Sequence, residues 1–257
     1  MQLSAPLSEL LKISNYEKVF LFLDYDGTLA DFAPNPDVVL PDTELISLLD
    51  LLNRQKNVEL AVVSGRRLGH IRELVPINGL WLAGSYGIEM INPAGEEIDL
   101  LNYKELRPRV EKIKPYWQSL VDGRNDFYLE DKGWSIAIHA NGKDRGEVNQ
   151  VLEMAIKIEA PPGFILQGND HFLELCPPEA DKGKAVHFIL RSRTENGLLP
   201  IFIGDDDKDE SAFAEIQTLG GFGILVSKNP SSTNANYYLP NPDAVRIWLK
   251  EILVNEG

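Results

Sequence analysis

The chain has 257 residues, long enough for one or two domains that bury a core without disulfide or metal staples. With 44% apolar and 25% charged residues, its composition is that of a soluble globular protein, which excludes a disordered or fibrous chain. Its 25 Lys and Arg against 39 Asp and Glu leave a net charge of −14, spread along the chain without a basic patch, and this argues against a nucleic-acid partner.

Residues 18–24, Lys-Val-Phe-Leu-Phe-Leu-Asp, form an apolar run that ends in an acid. That pattern predicts a strand buried on both faces, as in a parallel sheet. Leu45, Leu48, Leu49 and Leu52 then recur at helical spacing behind Pro41-Asp42. A second strand is predicted over 58–64, a short helix over 66–74 and a third strand over 80–84. Strand, helix, strand, helix, strand is the order of a doubly wound α/β sheet, a Rossmann-like core.

The middle of the chain reads differently. A helix over 106–120 is predicted to be interrupted or ended near Pro115. Residues 127–131 and 134–139 read as two strands joined at Lys132-Gly133, an antiparallel hairpin. A helix over 145–159 stops at Pro161-Pro162-Gly163, and two short strands fall at 164–166 and 171–175. This is a small α+β unit. The first pattern then returns, with helices over 182–193, 208–218 and 244–254 and strands over 199–204 and 223–226. The simplest organisation is a core built from residues 1–92 and 177–257, with an inserted cap-sized domain at 93–176. Pro93, Gly95, Pro177 and Pro178 stand at the two crossings as candidate hinges.

A single cysteine, Cys176, cannot form an internal disulfide, which fits a reducing compartment. The N-terminal stretch lacks a basic-then-apolar leader pattern, and no apolar run approaches the ~20 residues that cross a bilayer. A cytoplasmic location away from membranes is the expectation.

Open α/β sheets place ligands at the C-terminal ends of their strands. Four features are candidates to converge there: Asp24-Tyr-Asp26-Gly-Thr28, Ser64-Gly65-Arg66, Lys182-Gly, and Gly204-Asp205-Asp206-Asp-Lys-Asp209. Singly, each has a bland reading: a turn former or helix cap, a common turn, a solvated lysine, a polar loop feeding a helix. Jointly the bland account fails, because acids that end two separate buried strands repel one another unless a divalent cation lies between them. Carboxylate and carbonyl oxygens suit Mg²⁺. A phosphate sharing that metal needs further positive ends, and the Ser64 hydroxyl, Thr28, turn amides and the Lys182 ammonium offer them. Asp24 is then a nucleophile able to form an aspartyl-phosphate. Asp26, two residues on, can protonate the leaving alkoxide and later deprotonate the attacking water.

In order and context these motifs resemble the haloacid dehalogenase superfamily of phosphatases, over essentially the whole chain. The resemblance implies Asp24 as nucleophile and Asp26 as acid/base. It implies Mg²⁺ held by the Asp24 carboxylate, the Asp26 main-chain carbonyl and Asp205, with Asp206 and Asp209 in support. Ser64 and Lys182 would hold the phosphate, with Thr28, Gly65 and Arg66 on the substrate side. The insert falls where this superfamily places a large α/β cap.

A closer resemblance is to trehalose-6-phosphate phosphatases. It is carried by Phe22-Leu-Asp-Tyr-Asp-Gly-Thr-Leu29, Val63-Ser-Gly-Arg66, Glu130-x-Lys132 with His139 after it, Glu174-Leu, Lys182-Gly-Lys-Ala185, and Gly204-Asp-Asp-x-x-Asp-Glu-x-Ala-Phe213. It implies that Glu130, Lys132 and Glu174 contact the sugar, with His139 a further substrate-binding candidate. Three positions depart from that pattern: Tyr86 stands where His is usual, Asn141 where Arg is usual, and Cys176 replaces the Arg of Arg-Pro. These bear on substrate recognition, where losing one buried polar partner shifts specificity by orders of magnitude. Trehalose 6-phosphate is thus the leading substrate, with sucrose phosphate or a glucosylglycerate-type phosphate as the alternative, and a trehalose-phosphate synthase as a candidate partner. From other classes come a phosphoacceptor signalling module and a degenerate domain kept for partner binding. The acid at +2, the cap-sized insert and the complete set of motif acids favour turnover over both.

Overall fold

The computed structural model describes residues 18–32, 39–142, 144–193, 197–230 and 232–254. The chain runs through β1 (Lys18–Leu23), α1 (Thr43–Asn53), β2 (Val58–Val63), α2 (Leu68–Leu74), β3 (Trp81–Gly84), β4 (Glu89–Ile91) and β5 (Glu97–Asp99). It continues through α3 (Tyr103–Val121), β6 (Phe127–Asp131), β7 (Ile136–Ala140), α4 (Arg145–Ile156), β8 (Ile165–Asn169) and β9 (Phe172–Cys176). It ends with α5 (Lys182–Arg191), β10 (Leu198–Gly204), α6 (Glu210–Thr218), β11 (Phe222–Val226), β12 (Tyr237–Leu239) and α7 (Pro242–Val254). Two compact units result: Met1–Ile98 with Asp181–Gly257, and Asp99–Ala180.

The first unit is an eight-stranded sheet in the order β12-β11-β10-β1-β2-β3-β4-β5. Its centre is β1, flanked by β10 and β2 in parallel, with Leu21 opposite Ile201 on one side and Leu60 on the other. Phe20 through Leu23 are 0% exposed, and a strand covered on both faces needs an apolar residue at every step. Helix α1 turns Leu45, Leu48, Leu49 and Leu52 inward and is capped by Asp42, which accepts from the Glu44 and Leu45 amides. The doubly wound sheet follows the sequence pattern, and three strands extend it. β4 pairs antiparallel with β3, β5 forms the edge beyond it, and β12 adds a parallel edge beside β11. Each has three residues, too few to display a period of two.

The second unit is a four-stranded antiparallel sheet in the order β6-β7-β9-β8. One face carries Phe127, Ile136, Ile138, Leu173 and Leu175, which pack with Val110, Trp117 and Val121 of α3 and Val148, Val151 and Leu152 of α4. Here the sequence expectation for Pro115 is corrected: α3 runs unbroken through Pro108 and Pro115. A mid-helix proline costs about 3 kcal/mol. Burying Val110, Trp117 and Val121, at roughly 1.5–3 kcal/mol for each large apolar side chain, is of the size needed to offset two such prolines.

Asp131 ties α3 to this sheet. Arg107 donates to it from Nη1 and Nη2 at 2.5 and 2.7 Å, and Lys114 from Nζ at 2.6 Å, while Glu111 shares Arg107. Burial works to raise the Asp131 carboxyl, but Arg107 and Lys114 outweigh it and hold it well below the usual range. A carboxyl depressed by folding contributes stability above its unfolded value of about 4 and loses it as the pH falls below that. Asp131→Asn is therefore expected to lower the thermal midpoint at pH 7, with a loss of about 1–3 kcal/mol. It also flattens the fall in stability between about pH 5 and pH 3, both read from melting curves across pH.

Candidate active site

The C-terminal ends of β1 and β10 bring the two acidic motifs together. Asp24 follows β1 directly and keeps its amide in the ladder, donating to Ile203 O at 2.9 Å. The chain then folds back tightly: the Leu29 and Ala30 amides reach Tyr25 O, and the Gly27 amide reaches Ala30 O at 2.7 Å. Gly27 has φ +77°, and a Cβ on it would overlap the Asp205 carboxylate. Thr28 donates its hydroxyl to Asp205 Oδ1 at 3.1 Å.

Beyond β10, Asp209 organises the acidic loop. Its Oδ2 accepts from the Asp205 and Asp206 amides at 2.8 and 3.1 Å, and its Oδ1 accepts from Lys182 Nζ at 2.6 Å. Asp206 caps the turn over Asp207–Asp209, accepting from the Lys208 amide at 2.9 Å. Lys182 opens α5 behind its cap Asp181 and places Nζ 2.8 Å from Asp24 Oδ1 as well.

The electrostatics of this cluster are set by burial. Burial raises the Asp24 carboxyl well above its ordinary value, with Lys182 opposing and Asp205 and Asp206 reinforcing. Burial, then Asp209 and Asp206, push Asp205 up to about 7. Burial likewise raises Asp209 against the pull of Lys182. For Lys182 burial disfavours the charge, but Asp209 and Asp24 outweigh it and keep the ammonium charged.

Asp24, Asp205 and Asp209 bring carboxylate oxygens within 4.8 Å of one another, and one ammonium answers three acids. A cluster of hard oxygen donors with excess negative charge fits Mg²⁺. Among the described residues the Asp206 and Asp26 side chains lie outside this convergent set. Asp209, with both oxygens engaged inside the protein, acts as the staple of the loop.

Asp26 has a different neighbour from any read in the sequence. Arg66 Nε and Nη2 each donate to one of its oxygens at 2.6 Å, a bidentate fork. The guanidinium is itself held, 5.8 Å from the Tyr25 ring centroid and with Nη1 3.2 Å from His70 Nδ1. Arg66 thus sits on the acid at +2. Ser64, 1% exposed, accepts at Oγ from the Arg66 amide at 3.1 Å. The loop after β3 is anchored by Glu89, whose Oε1 accepts from the Ser85 hydroxyl at 2.7 Å and the Leu68 amide at 2.8 Å. Tyr25, His70 and Glu89 are supports that carried no signal in the sequence.

In the second unit, the antiparallel register aligns Glu130, Ala137, Glu174 and Gln167 across four strands on the face opposite the apolar core. Lys132 Nζ lies 3.3 Å from Glu174 Oε1 and 3.7 Å from Glu130 Oε2, and His139 Nε2 lies 2.8 Å from Glu130 Oε2. Ser135 donates to Glu174 Oε1 at 2.7 Å, while Glu174 Oε2 is buried with no partner. A buried carboxylate oxygen without a protein partner is completed by a water, an ion or a ligand donor. Glu130, Lys132, His139 and Glu174 are thus one group. Cys176, on the same face, accepts at Sγ from Gln167 Nε2 at 2.8 Å, and the Asn141 amide donates to Asp126 O.

Comparison with known proteins gives a consistent result. Residues 22–243 match the family described as trehalose-phosphatase. The chain is 33% identical to probable trehalose-phosphate phosphatase D of Arabidopsis thaliana, over 95% of this chain and 70% of that protein. In fold it is similar to the C-terminal domain of trehalose-6-phosphate phosphatase from C. albicans, with a TM-score of 0.85 and 18% identity over 98% of both chains. It is also similar to a haloacid dehalogenase-like hydrolase from Bacteroides thetaiotaomicron, at TM-score 0.61 and 18% identity, over 91% of this chain and 99% of the other.

Gly27 and Gly95 supply an internal contrast, because both have positive φ but only Gly27 has neighbours where a Cβ would stand. Gly95→Ala is expected to cost about 1 kcal/mol of stability and leave turnover intact. Gly27→Ala displaces Asp205 and abolishes most turnover as well, which melting curves and a phosphate-release assay on both variants will separate.

Proposed function

The chain belongs to the trehalose-phosphatase family, phosphoric monoester hydrolases on a haloacid dehalogenase fold; from that premise we propose that it hydrolyses trehalose 6-phosphate to trehalose and phosphate, using Mg²⁺ and an aspartyl-phosphate on Asp24. The observation that carries this reading is the buried group in which Lys182 joins Asp24 to Asp209 beside Asp205. Family membership supports turnover over a phosphoacceptor module.

In this reading Mg²⁺ is held by Asp24, Asp205 and the Asp26 main-chain carbonyl, with Asp206 and Asp209 in support. When bound, it neutralises charge on the phosphoryl oxygens. Lys182, the Ser64 hydroxyl, Thr28 and the amides around Gly65 bind the same group. Asp24 attacks phosphorus, the bond from phosphorus to the sugar oxygen breaks, and that oxygen takes its proton from Asp26. Asp26 then removes a proton from water, which attacks the same phosphorus and breaks its bond to Asp24. Both Asp26 oxygens face the Arg66 fork, so the acid step requires Asp26 to release that fork and turn to the leaving oxygen.

Glu130, Lys132, His139 and Glu174 are proposed to bind the sugar, with a hydroxyl of the substrate satisfying Glu174 Oε2. A trehalose-phosphate synthase, which makes this substrate, is the proposed partner. A cytoplasmic location belongs to the same reading. It draws on the single cysteine, and among the described residues no helix is long and apolar enough to cross a membrane. A second reading, another glycosyl phosphate as substrate, draws on Cys176, which bonds Gln167 where the family pattern has Arg.

A panel of sugar phosphates assayed for released phosphate tests the specific assignment. The expected result is turnover of trehalose 6-phosphate well above glucose 6-phosphate and sucrose phosphate, lost when Mg²⁺ is chelated. Equal rates across the panel, or rates indifferent to chelation, contradict it. Asp26→Asn is expected to slow the sugar phosphate by about 10²–10⁴-fold, the usual range for a lost general acid. Release of p-nitrophenol in the first turnover of p-nitrophenyl phosphate is slowed far less, because a phenolate leaves without a proton, while the later water attack, common to both esters, slows for each. Equal losses in that first, leaving-group step on the two esters would give Asp26 another role.

A further inference from the structure

Two adjacent non-glycine residues take left-handed backbone angles, Ser85 at φ 50° and Tyr86 at φ 58°, and Gly87 follows at φ 97°. For a bulky side chain this is an outlier, and such strain persists where the surroundings over-determine it, most often at functional sites. The Ser85 amide donates to Arg66 O at 2.7 Å and the Tyr86 amide to Ser64 O at 2.9 Å, so the strained turn is bound to the Ser64-Gly65-Arg66 turn. The Tyr86 ring lies so close over Gly65 that a Cβ there would come within 2.8 Å of it. Lys208 Nζ stands 5.6 Å from the centroid of the same ring, within cation–π range. Lys208 precedes Asp209, the residue that holds Lys182 and the Asp205 and Asp206 amides. One aromatic ring therefore links two loops of the site that are far apart in the chain.

We propose that Tyr86 and Lys208 are a positioning pair that sets the spacing between the Ser64 turn and the acidic loop, and through it the affinity for the phosphoryl group of any substrate. This rests on the proposed function and deepens it. The family pattern places position 86 among residues that recognise substrate; the contacts of Tyr86 put it at the phosphoryl end. The ring contact fixes where the Lys208 ammonium stands beside the acidic loop.

The test is a double-mutant cycle on the full chain, with Tyr86→Leu, Lys208→Met and the double variant, plus Tyr86→Phe as the conservative change. The readouts are Ki for inorganic phosphate, KM and kcat for p-nitrophenyl phosphate, and the thermal midpoint. Each single variant is expected to raise Ki and KM about 5- to 10-fold with kcat little changed, and the double no further than the weaker single, because both remove one contact. Tyr86→Phe, which keeps the ring, restores the affinity that Tyr86→Leu loses. Effects that multiply in the double variant overturn the pair, as does a fall in kcat at constant Ki. Should Tyr86→Leu fail to fold, an unchanged Ki in Lys208→Met overturns the proposal alone. A wild-type chain that hydrolyses the aryl ester but no sugar phosphate defeats the proposed function and still leaves this cycle readable.

Discussion

Lys182, 3% exposed, stands between Asp24 and Asp209 at 2.8 and 2.6 Å, and the site is arranged around those two ion pairs. Taking charges out of water costs several kcal/mol for each ion, so a buried carboxylate persists only with a partner. Here three carboxylates share one ammonium, and burial raises all three. Lys182 makes the cluster tolerable without neutralising it. Under the proposed function a divalent cation would offset the negative charge of the ionised acids.

The sheet makes this arrangement reachable. β1 and β10 are adjacent and parallel, with Leu23 opposite Ile203, so the residues that follow them emerge side by side. Two glycines permit the closest approaches: a Cβ on Gly27 would overlap Asp205, and one on Gly204 would overlap Asp209. Strand ends, tight turns and one buried lysine therefore act as a single device. The same economy appears at Asp26, where Arg66 from the end of β2 supplies a fork, and Tyr25 and His70 keep that fork in place.

The second unit solves a different problem with a two-faced sheet. One face is apolar and covered by α3 and α4, which frees the other to carry Glu130 and Glu174 in register through Ala137, with Lys132 and His139 beside them. Under the proposed function this face would hold the sugar, whose hydroxyls need paired donors and acceptors, and the cluster carries both. On the covered face Asp131 pins α3 to the end of β6.

Much of this was legible in the amino-acid sequence because it is written locally. An unbroken apolar run ending in Asp24 marks a central parallel strand, Leu45 to Leu52 mark a helix by their spacing, and the acidic, serine and lysine motifs stand at predicted strand ends or helix starts. Those features pointed to the α/β core, to an inserted α+β unit expected at 93–176 where the structure has Asp99–Ala180, and to the candidate acids. What local pattern does not encode is which distant side chain each group meets. Only the tertiary structure put Arg66 on Asp26, engaged both oxygens of Asp209 inside the protein, strained Tyr86 against Gly65 and carried α3 through Pro115. Each of those outcomes depends on residues brought together by packing, where burial and charge outweigh local preference. The three-residue strands β4, β5 and β12 exist because a neighbour offers hydrogen bonds, which their own sequences cannot announce.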